Sequence, residues 1–211
     1  MARANTKTTR NGHRANFEAR RESIIATATR LYARQGFRGT SVTDICNEED
    51  LTRGLLYYYV PGGKLELLQA INDRFQSALM EDWPRIAATD LRADDALREL
   101  SRSLMRAIFR YLDEVTVFLH EWKNLREDPK RWAEYQKKRD YLSDIIRNTI
   151  VRGQEQGLFK KLDPTVLGHA FGGMHNWAYQ WVHRRGSMGP DEISDIFCEV
   201  FLAGLRQPDT V

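Results

Sequence analysis

Thr52-Arg53-Gly54-Leu55-Leu56-Tyr57-Tyr58-Tyr59 sits between two chain breaks. Ahead of it Glu49-Asp50-Leu51 makes a short turn, and behind it Pro61-Gly62-Gly63 ends any helix. Thr52 has the hydroxyl of a helix N-cap. The preceding segment opens the same way: Thr40-Ser41 caps a short helix through about Glu48, with Val42, Ile45 and Cys46 turned inward. Two short hydroxyl-capped helices joined by a turn of about four residues have the layout of a helix-turn-helix. The second of them carries the residue types expected of a helix that meets a duplex. Such a helix carries polar and small residues at its amino end, where side chains reach base edges and the backbone can come close. Thr52, Arg53 and Gly54 provide a cap, a bidentate donor for guanine or phosphate, and a position without a Cβ. Leu56 and Tyr57 are expected to face the core. Three successive tyrosines cannot share one helix face, so Tyr58 and Tyr59 are expected to turn their phenols outward to phosphate oxygens. Lys64, in the first turn of the next helix, adds charge beside backbone N–H groups that favour anions.

Helical periodicity continues on both sides. Upstream, Ile24, Ala28, Leu31 and Tyr32 form one stripe over Phe17–Gln35, Gly36 supplies a left-handed stop, and Phe37 covers the end. Downstream, a helix from Lys64 to about Glu81 aligns Leu68, Ile71, Phe75 and Leu79. Further helices follow over about 94–111, 114–124, 129–156, 164–183 and 190–205. Two of them start at Asp-Pro pairs, Asp128-Pro129 and Asp163-Pro164, where Asp caps and Pro takes a first-turn position that needs no N–H. No strand-like alternation of useful length occurs. The expectation is an all-α protein divided into a flexible basic arm (1–16), a helix-turn-helix domain (17–63), a connecting helix (64–82) and a larger helical ligand-binding and dimerisation domain (83–211).

The 211 residues are 42% hydrophobic and 29% charged, enough for a core and too polar for a membrane protein. The basic amino terminus lacks the apolar segment of a secretory signal. Two distant cysteines, Cys46 and Cys198, give neither a disulfide framework nor a zinc motif and fit a cytoplasmic protein. Charge is uneven. Residues 1–61 hold ten Lys/Arg against six Asp/Glu, while the rest holds 22 against 23. Arg3, Lys7, Arg10 and Arg14 stand in the first 16 residues with no acid among them, as in an arm that follows a phosphate backbone.

Residues from about 21 to 68 resemble the amino-terminal DNA-binding domain of the tetracycline-repressor (TetR/AcrR) family. The resemblance is carried by Ile25, Ala28, Leu31, Tyr32, Gly36, Phe37, Thr40-Ser41-Val42, Asp44-Ile45, Arg53-Gly54, Leu56-Tyr57-Tyr58-Tyr59, Lys64 and Leu67. It implies a homodimeric, ligand-responsive transcriptional regulator, most often a repressor, bound to a palindromic operator without a cofactor. By the same resemblance Thr40 and Thr43 touch phosphates, Thr52, Arg53, Gly54 and Leu55 face the major groove, and Tyr58, Tyr59 and Lys64 clamp the backbone; the charge of the arm adds Arg14 as a DNA-binding candidate. Glu48, Glu49 and Asp50 depart from the small residues and glycine usual in the turn, and three carboxylates beside DNA are expected to repel phosphates. Leu55 replaces a common hydroxylated residue, which exchanges a hydrogen bond for a thymine-methyl contact.

The later helices are rich in aromatic residues, including Trp83, Trp122, Trp132, Trp177 and Trp181. The last two helices, with Ala170, Met174, Trp177, Ala178 and Trp181, then Ile193, Ile196, Phe197, Val200 and Phe201, have the composition of an intersubunit four-helix bundle, the place where the family dimerises. Gly172-Gly173 in mid-helix fits close approach of a partner helix. Phe109, Phe118, Glu121, Trp122, Phe171, Met174, His175, Trp177 and Trp181 are the candidates for a small-molecule pocket. Residues 117–159 resemble regulators that respond to acyl-CoA thioesters, a ligand that needs an apolar channel and a cationic mouth; Lys130, Arg131, Lys137, Lys138, Arg139 and Arg147 are the candidates for the mouth. The alternative class is a helical enzyme or ligand carrier without DNA specificity. Against it, His169, His175 and His183 lack metal-ligand spacing, and no nucleophile elbow, P-loop or dinucleotide fingerprint occurs.

Overall fold

The computed structural model describes residues 5–183 and 186–206. Among them the regular elements are helical, as expected: α1 (Asn5–Gly39), α2 (Val42–Glu49), α3 (Arg53–Tyr59), α4 (Gly63–Ala87), α5 (Ala93–Arg110), α6 (Leu112–Glu121), α7 (Pro129–Glu155), α8 (Pro164–Asn176) and α9 (Pro190–Leu205). Short 3₁₀ segments cover Trp122–Glu127 and Trp177–Gln180. The chain forms two compact units, Met1–Asp73 with Thr116–Pro129, and Arg74–Val115 with Lys130–Val211.

In the first unit the interior is filled by Ile24, Ile25, Ala28, Leu31 and Tyr32 of α1 with Ile45, Leu56, Leu67, Leu68 and Ile71. Local chemistry sets the helix ends. Gly36 adopts φ 78°, ψ 162° and breaks the path of α1, and the Tyr32 and Phe37 rings meet edge-on at 5.3 Å. Ser41 and Asp44 form a reciprocal capping box, Asp44 N donating to Ser41 Oγ at 3.1 Å and Ser41 N to Asp44 Oδ2 at 2.7 Å. These bonds hold the Asp44 carboxyl below its usual range. Asp50 ends α2 in the left-handed conformation at φ 51°, a geometry that Asp tolerates.

Helix α1 extends further upstream than the periodicity indicates. It begins at Asn5, so residues 5–16 are helical where an irregular arm was expected, because no glycine pair or proline interrupts them. Arg14 is thereby exposed on a helix. Arg3 lies outside the described residues, as do the side chains of Lys7 and Arg10.

In the second unit α5 and α9 share an apolar seam of Leu97, Leu100, Leu104, Cys198 and Leu202 and are tied by two ion pairs, Arg102–Asp195 at 2.8 Å and Arg106–Asp191 at 2.7 Å. Asp163 caps α8 by accepting from Thr165 N and Val166 N. Helix α8 stops at Asn176 instead of reaching His183, because pairing tightens from i,i+4 to i,i+3 and Trp181 N bonds Ala178 O at 3.0 Å. Helix α6 likewise ends at Glu121 and passes into a 3₁₀ segment. The first unit recruits Thr116–Pro129, which sequence pattern had placed with the carboxy-terminal domain.

Gly153 of α7 is required by packing. A Cβ there would stand 2.1 Å from two ring carbons of Phe159 and 3.0 Å from Ala93 Cβ. Alanine favours a helix over glycine by about 1 kcal/mol, yet Gly153→Ala is expected to lower stability by about 1–3 kcal/mol through overpacking. Calorimetric melting checks the sign.

Candidate nucleic-acid interface

Helix α3 has seven residues and one buried side chain, Leu56, at 0% exposure. Leu55 is 42% exposed, Tyr57 45% and Tyr58 64%, and Arg53 and Gly54 are exposed with them. A helix that leaves leucine and tyrosine in water contributes little to its own fold and presents a surface for something else. Its start is fixed by Thr52, whose Oγ1 accepts from Leu55 N at 3.2 Å, and its end by Val60, which is buried. At Gly54 a Cβ would meet nothing within 4 Å. This chain's own packing therefore does not require glycine there, and the position is open to close approach from outside.

The tyrosines divide differently from expectation. Tyr57 lies outside the core, its ring beside Gly63, where an added Cβ would sit 3.2 Å from Tyr57 Cε1. Leu56 and Val60 fill the inward positions in its place. Tyr58 and Tyr59 form a cluster with Phe17 of α1, with ring centroids 5.6 and 5.0 Å from it. Arg14, one turn before Phe17, thus stands at the same end of the unit as these phenols.

The acidic turn does not face outward as three free carboxylates. Glu49 is buried against α1, where Ser23 Oγ donates to Oε2 at 3.0 Å and Thr27 Oγ1 to Oε1 at 2.6 Å. Arg20 pairs with it at 3.4 Å and also donates to its backbone carbonyl. Glu48 lies 3.5 Å from both Arg30 and Arg34. Only Asp50 is left exposed without such a pairing among the described contacts. The expected repulsion of phosphates is corrected accordingly: two of the three carboxylates are matched by arginines of α1.

Two other expected backbone contacts are drawn inward. Thr40 is buried and its Oγ1 donates to Gly36 O at 2.9 Å, so its side chain caps the end of α1. Lys64 is half-buried; Nζ donates to Phe37 O at 2.6 Å and lies 4.4 Å from the Phe37 ring centroid. Burial lowers its pKa, against the pull of Asp44, Glu121 and Glu127. The same corner is held from its other side by Glu121, whose Oε1 accepts from Phe37 N at 3.0 Å and whose Oε2 accepts from Asn124 Nδ2 at 2.7 Å. Arg38 adds contacts to Asn124 and Glu127. Thr43, Thr52, Arg53, Gly54, Leu55, Tyr58, Tyr59 and Arg14 remain as the surface set; Thr43 and Tyr59 are half-buried and the others exposed.

The nine candidate ligand residues do not gather in one unit. Phe118, Glu121 and Trp122 belong to the first, and Phe109, Phe171, Met174, His175, Trp177 and Trp181 to the second. Glu121 is engaged at Phe37, and Lys123 and Arg126 lie 5.7 and 5.4 Å from the Trp122 ring centroid. Trp177 and Trp181 are exposed. Of the basic residues on α7, Arg139 pairs with Asp140 and Arg147 with Asp144, each at 2.8 Å, which neutralises part of the expected cationic mouth.

His175 is fully buried and satisfied within the second unit. Its Nδ1 donates to Phe171 O at 2.7 Å, since a carbonyl can only accept, which leaves Nε2 to accept from Ser101 Oγ at 2.6 Å. Ser101 Oγ in turn lies 2.7 Å from Ser194 Oγ. This chain of hydroxyls ties α5, α8 and α9 and was not visible in sequence, where the three residues are far apart.

The carboxy-terminal residues 90–205 match the model described as "Tetracyclin repressor-like, C-terminal domain", and residues 24–71 match "Bacterial regulatory proteins, tetR family". The chain belongs to the TetR family of bacterial regulatory proteins. It is 24% identical over 190 residues to the HTH-type transcriptional repressor KstR2 of Rhodococcus jostii, covering 90% of this chain and 92% of that protein. A 54-residue stretch is 44% identical to the HTH-type transcriptional regulator LmrA of Bacillus subtilis and spans 29% of that protein. Among solved structures, AibR in complex with isovaleryl coenzyme A and operator DNA superposes with a TM-score of 0.75 at 27% identity, covering 86% of this chain and 97% of that one.

Burial pulls the His175 pKa down from 6.5 to about 4, with the Phe171 carbonyl opposing. The folded protein keeps the ring neutral where an unfolded chain protonates it, so this contribution is whole above about pH 6.5 and is lost as pH falls toward 4. Denaturant melts at pH 7 and pH 4.5 should show a steeper loss for the natural protein than for His175→Gln.

Proposed function

We propose that the chain is a cytoplasmic, non-catalytic transcriptional repressor that binds a palindromic operator as a homodimer and is released by a small apolar effector. The observation that carries this reading is α3: a capped helix with a single inward side chain and an amino end of Thr52, Arg53, Gly54 and Leu55 open to solvent. The relatives named above are transcriptional regulators, and AibR was solved with operator DNA.

Dimerisation is assigned to α8 and α9. Val166, Ala170, Gly173 and Trp177 recur at helical spacing on α8 and its extension and are exposed; Ile196, Val200, Ala203 and Gly204 do the same on α9. Cβ atoms added at Gly172, Gly173 or Gly204 would meet nothing within 4 Å. These open small residues would let a second copy approach closely, and the apolar residues beside them would be covered. In such a dimer two α3 helices enter successive major grooves about 34–36 Å apart.

For the effector we favour an acyl-CoA thioester, on the likeness to AibR with its isovaleryl coenzyme A and the lysine- and arginine-rich face of α7. The effector favours release only to the extent that it binds the non-reading state more tightly. No helix among the described residues is long and apolar enough to cross a membrane.

Arg53→Ala is expected to weaken operator binding about ten- to a hundredfold in fluorescence anisotropy, the scale of one lost bidentate base contact, while leaving the dimer intact in sedimentation; operator affinity equal to the natural protein's would remove α3 from the reading role. Natural-protein binding should fall steeply between about 50 and 200 mM salt as counterions are released. Trp177→Ala, at an exposed position, should weaken dimerisation with little change in helix content by circular dichroism.

A further inference from the structure

Thr43, the second residue of α2, and Arg53, the first of α3, are joined across the turn: Arg53 Nη2 donates to Thr43 Oγ1 at 2.5 Å. The choice of partner matters. In the same unit Arg20 is paired with Glu49, Arg21 with Glu66, and Arg30 and Arg34 with Glu48. Each of those guanidinium charges is matched by a carboxylate. Arg53 is held by a neutral hydroxyl and has no carboxylate partner among the described residues, so its position is restrained while its charge stays available.

The donor arithmetic supports the same division of labour. A guanidinium has five N–H groups in a fixed fork. One bond to Thr43 leaves enough of them for the bidentate contact that recognises the O6 and N7 acceptors of guanine. The Thr43 hydroxyl, accepting from Arg53, keeps its own proton for a phosphate oxygen. A free arginine at an exposed helix end has many rotamers, and restraining it beforehand lowers the ordering cost at the moment of binding.

We infer that Thr43 is a positioning residue for base reading: its hydroxyl holds the Arg53 guanidinium at the amino end of α3 and so sets discrimination at the base pair Arg53 contacts. This rests on the regulator reading above. It differs from a phosphate contact by Thr43, which strengthens binding to every sequence alike.

The test begins with duplexes selected from a random pool by the natural protein. The base pair whose discrimination disappears in Arg53→Ala is identified, and affinities for the selected duplex and for one changed at that pair are measured by anisotropy at fixed salt. Thr43→Val should reduce the preference between the two about tenfold, the scale of one lost bidentate contact. Thr43→Ser, which restores the hydroxyl, should stay within about twofold of the natural protein. On an Arg53→Ala background, Thr43→Val should change the preference no further, the signature of a coupled pair. Thr43→Ala serves the same purpose if the valine variant does not fold, as judged by matched thermal melts. Equal weakening on both duplexes, or an additive double variant, overturns the positioning role while leaving the regulator reading intact. A natural protein that selects no duplex overturns both.

Discussion

Leu56 is the single side chain by which α3 reaches the interior, and this thin attachment is the constraint around which the first unit is built. One leucine cannot orient a helix, so orientation comes from the ends and from the neighbour. Thr52 fixes the start, Val60 is buried just past the end, and α2 is clasped to α1 through Glu49 with Ser23, Thr27 and Arg20. A buried carboxylate is tolerable only where donors surround it, and here three side chains supply them. The polar clasp does the holding that apolar burial does elsewhere, and it leaves Arg53, Gly54, Leu55, Tyr57 and Tyr58 exposed.

What could be read from sequence follows the range of each interaction. Ser41, Thr52 and Asp163 act within a few residues of themselves, and their roles as caps are as the pattern indicated, while Gly36 takes the positive φ expected of it but kinks α1, which runs on to Gly39. The all-α architecture follows from the same local signals. Glu49, Lys64 and Glu121 are different. Each is a polar residue whose partner lies on another element or across a chain break, and periodicity contains no information about such pairings. Glu121 resembled a pocket residue because it stands among aromatic residues, yet its carboxylate is taken by the Phe37 amide 84 positions away. Tyr57 failed for a related reason: a three-tyrosine run shows that not all can be inward, without showing that none need be.

The second unit adds a buried chain of hydroxyls to the ion pairs that tie α5 to α9. Ser101, His175 and Ser194 form a satisfied chain inside an otherwise apolar junction of α5, α8 and α9. Hydrogen bonds are directional, so such a chain specifies one register among several that apolar packing alone would permit. That register also sets which residues of α8 and α9 are left outward, Val166, Trp177, Ile196 and Val200 among them.

Gly54 separates two kinds of demand on a sequence. Since nothing among the described residues beyond its own helix backbone and chain neighbours lies within 4 Å of where its Cβ would be, the scaffold is indifferent to modest enlargement there. Under the proposed role of α3, target choice can drift at such a position without the folded body having to be rebuilt, and new genomic addresses come within reach at little structural risk.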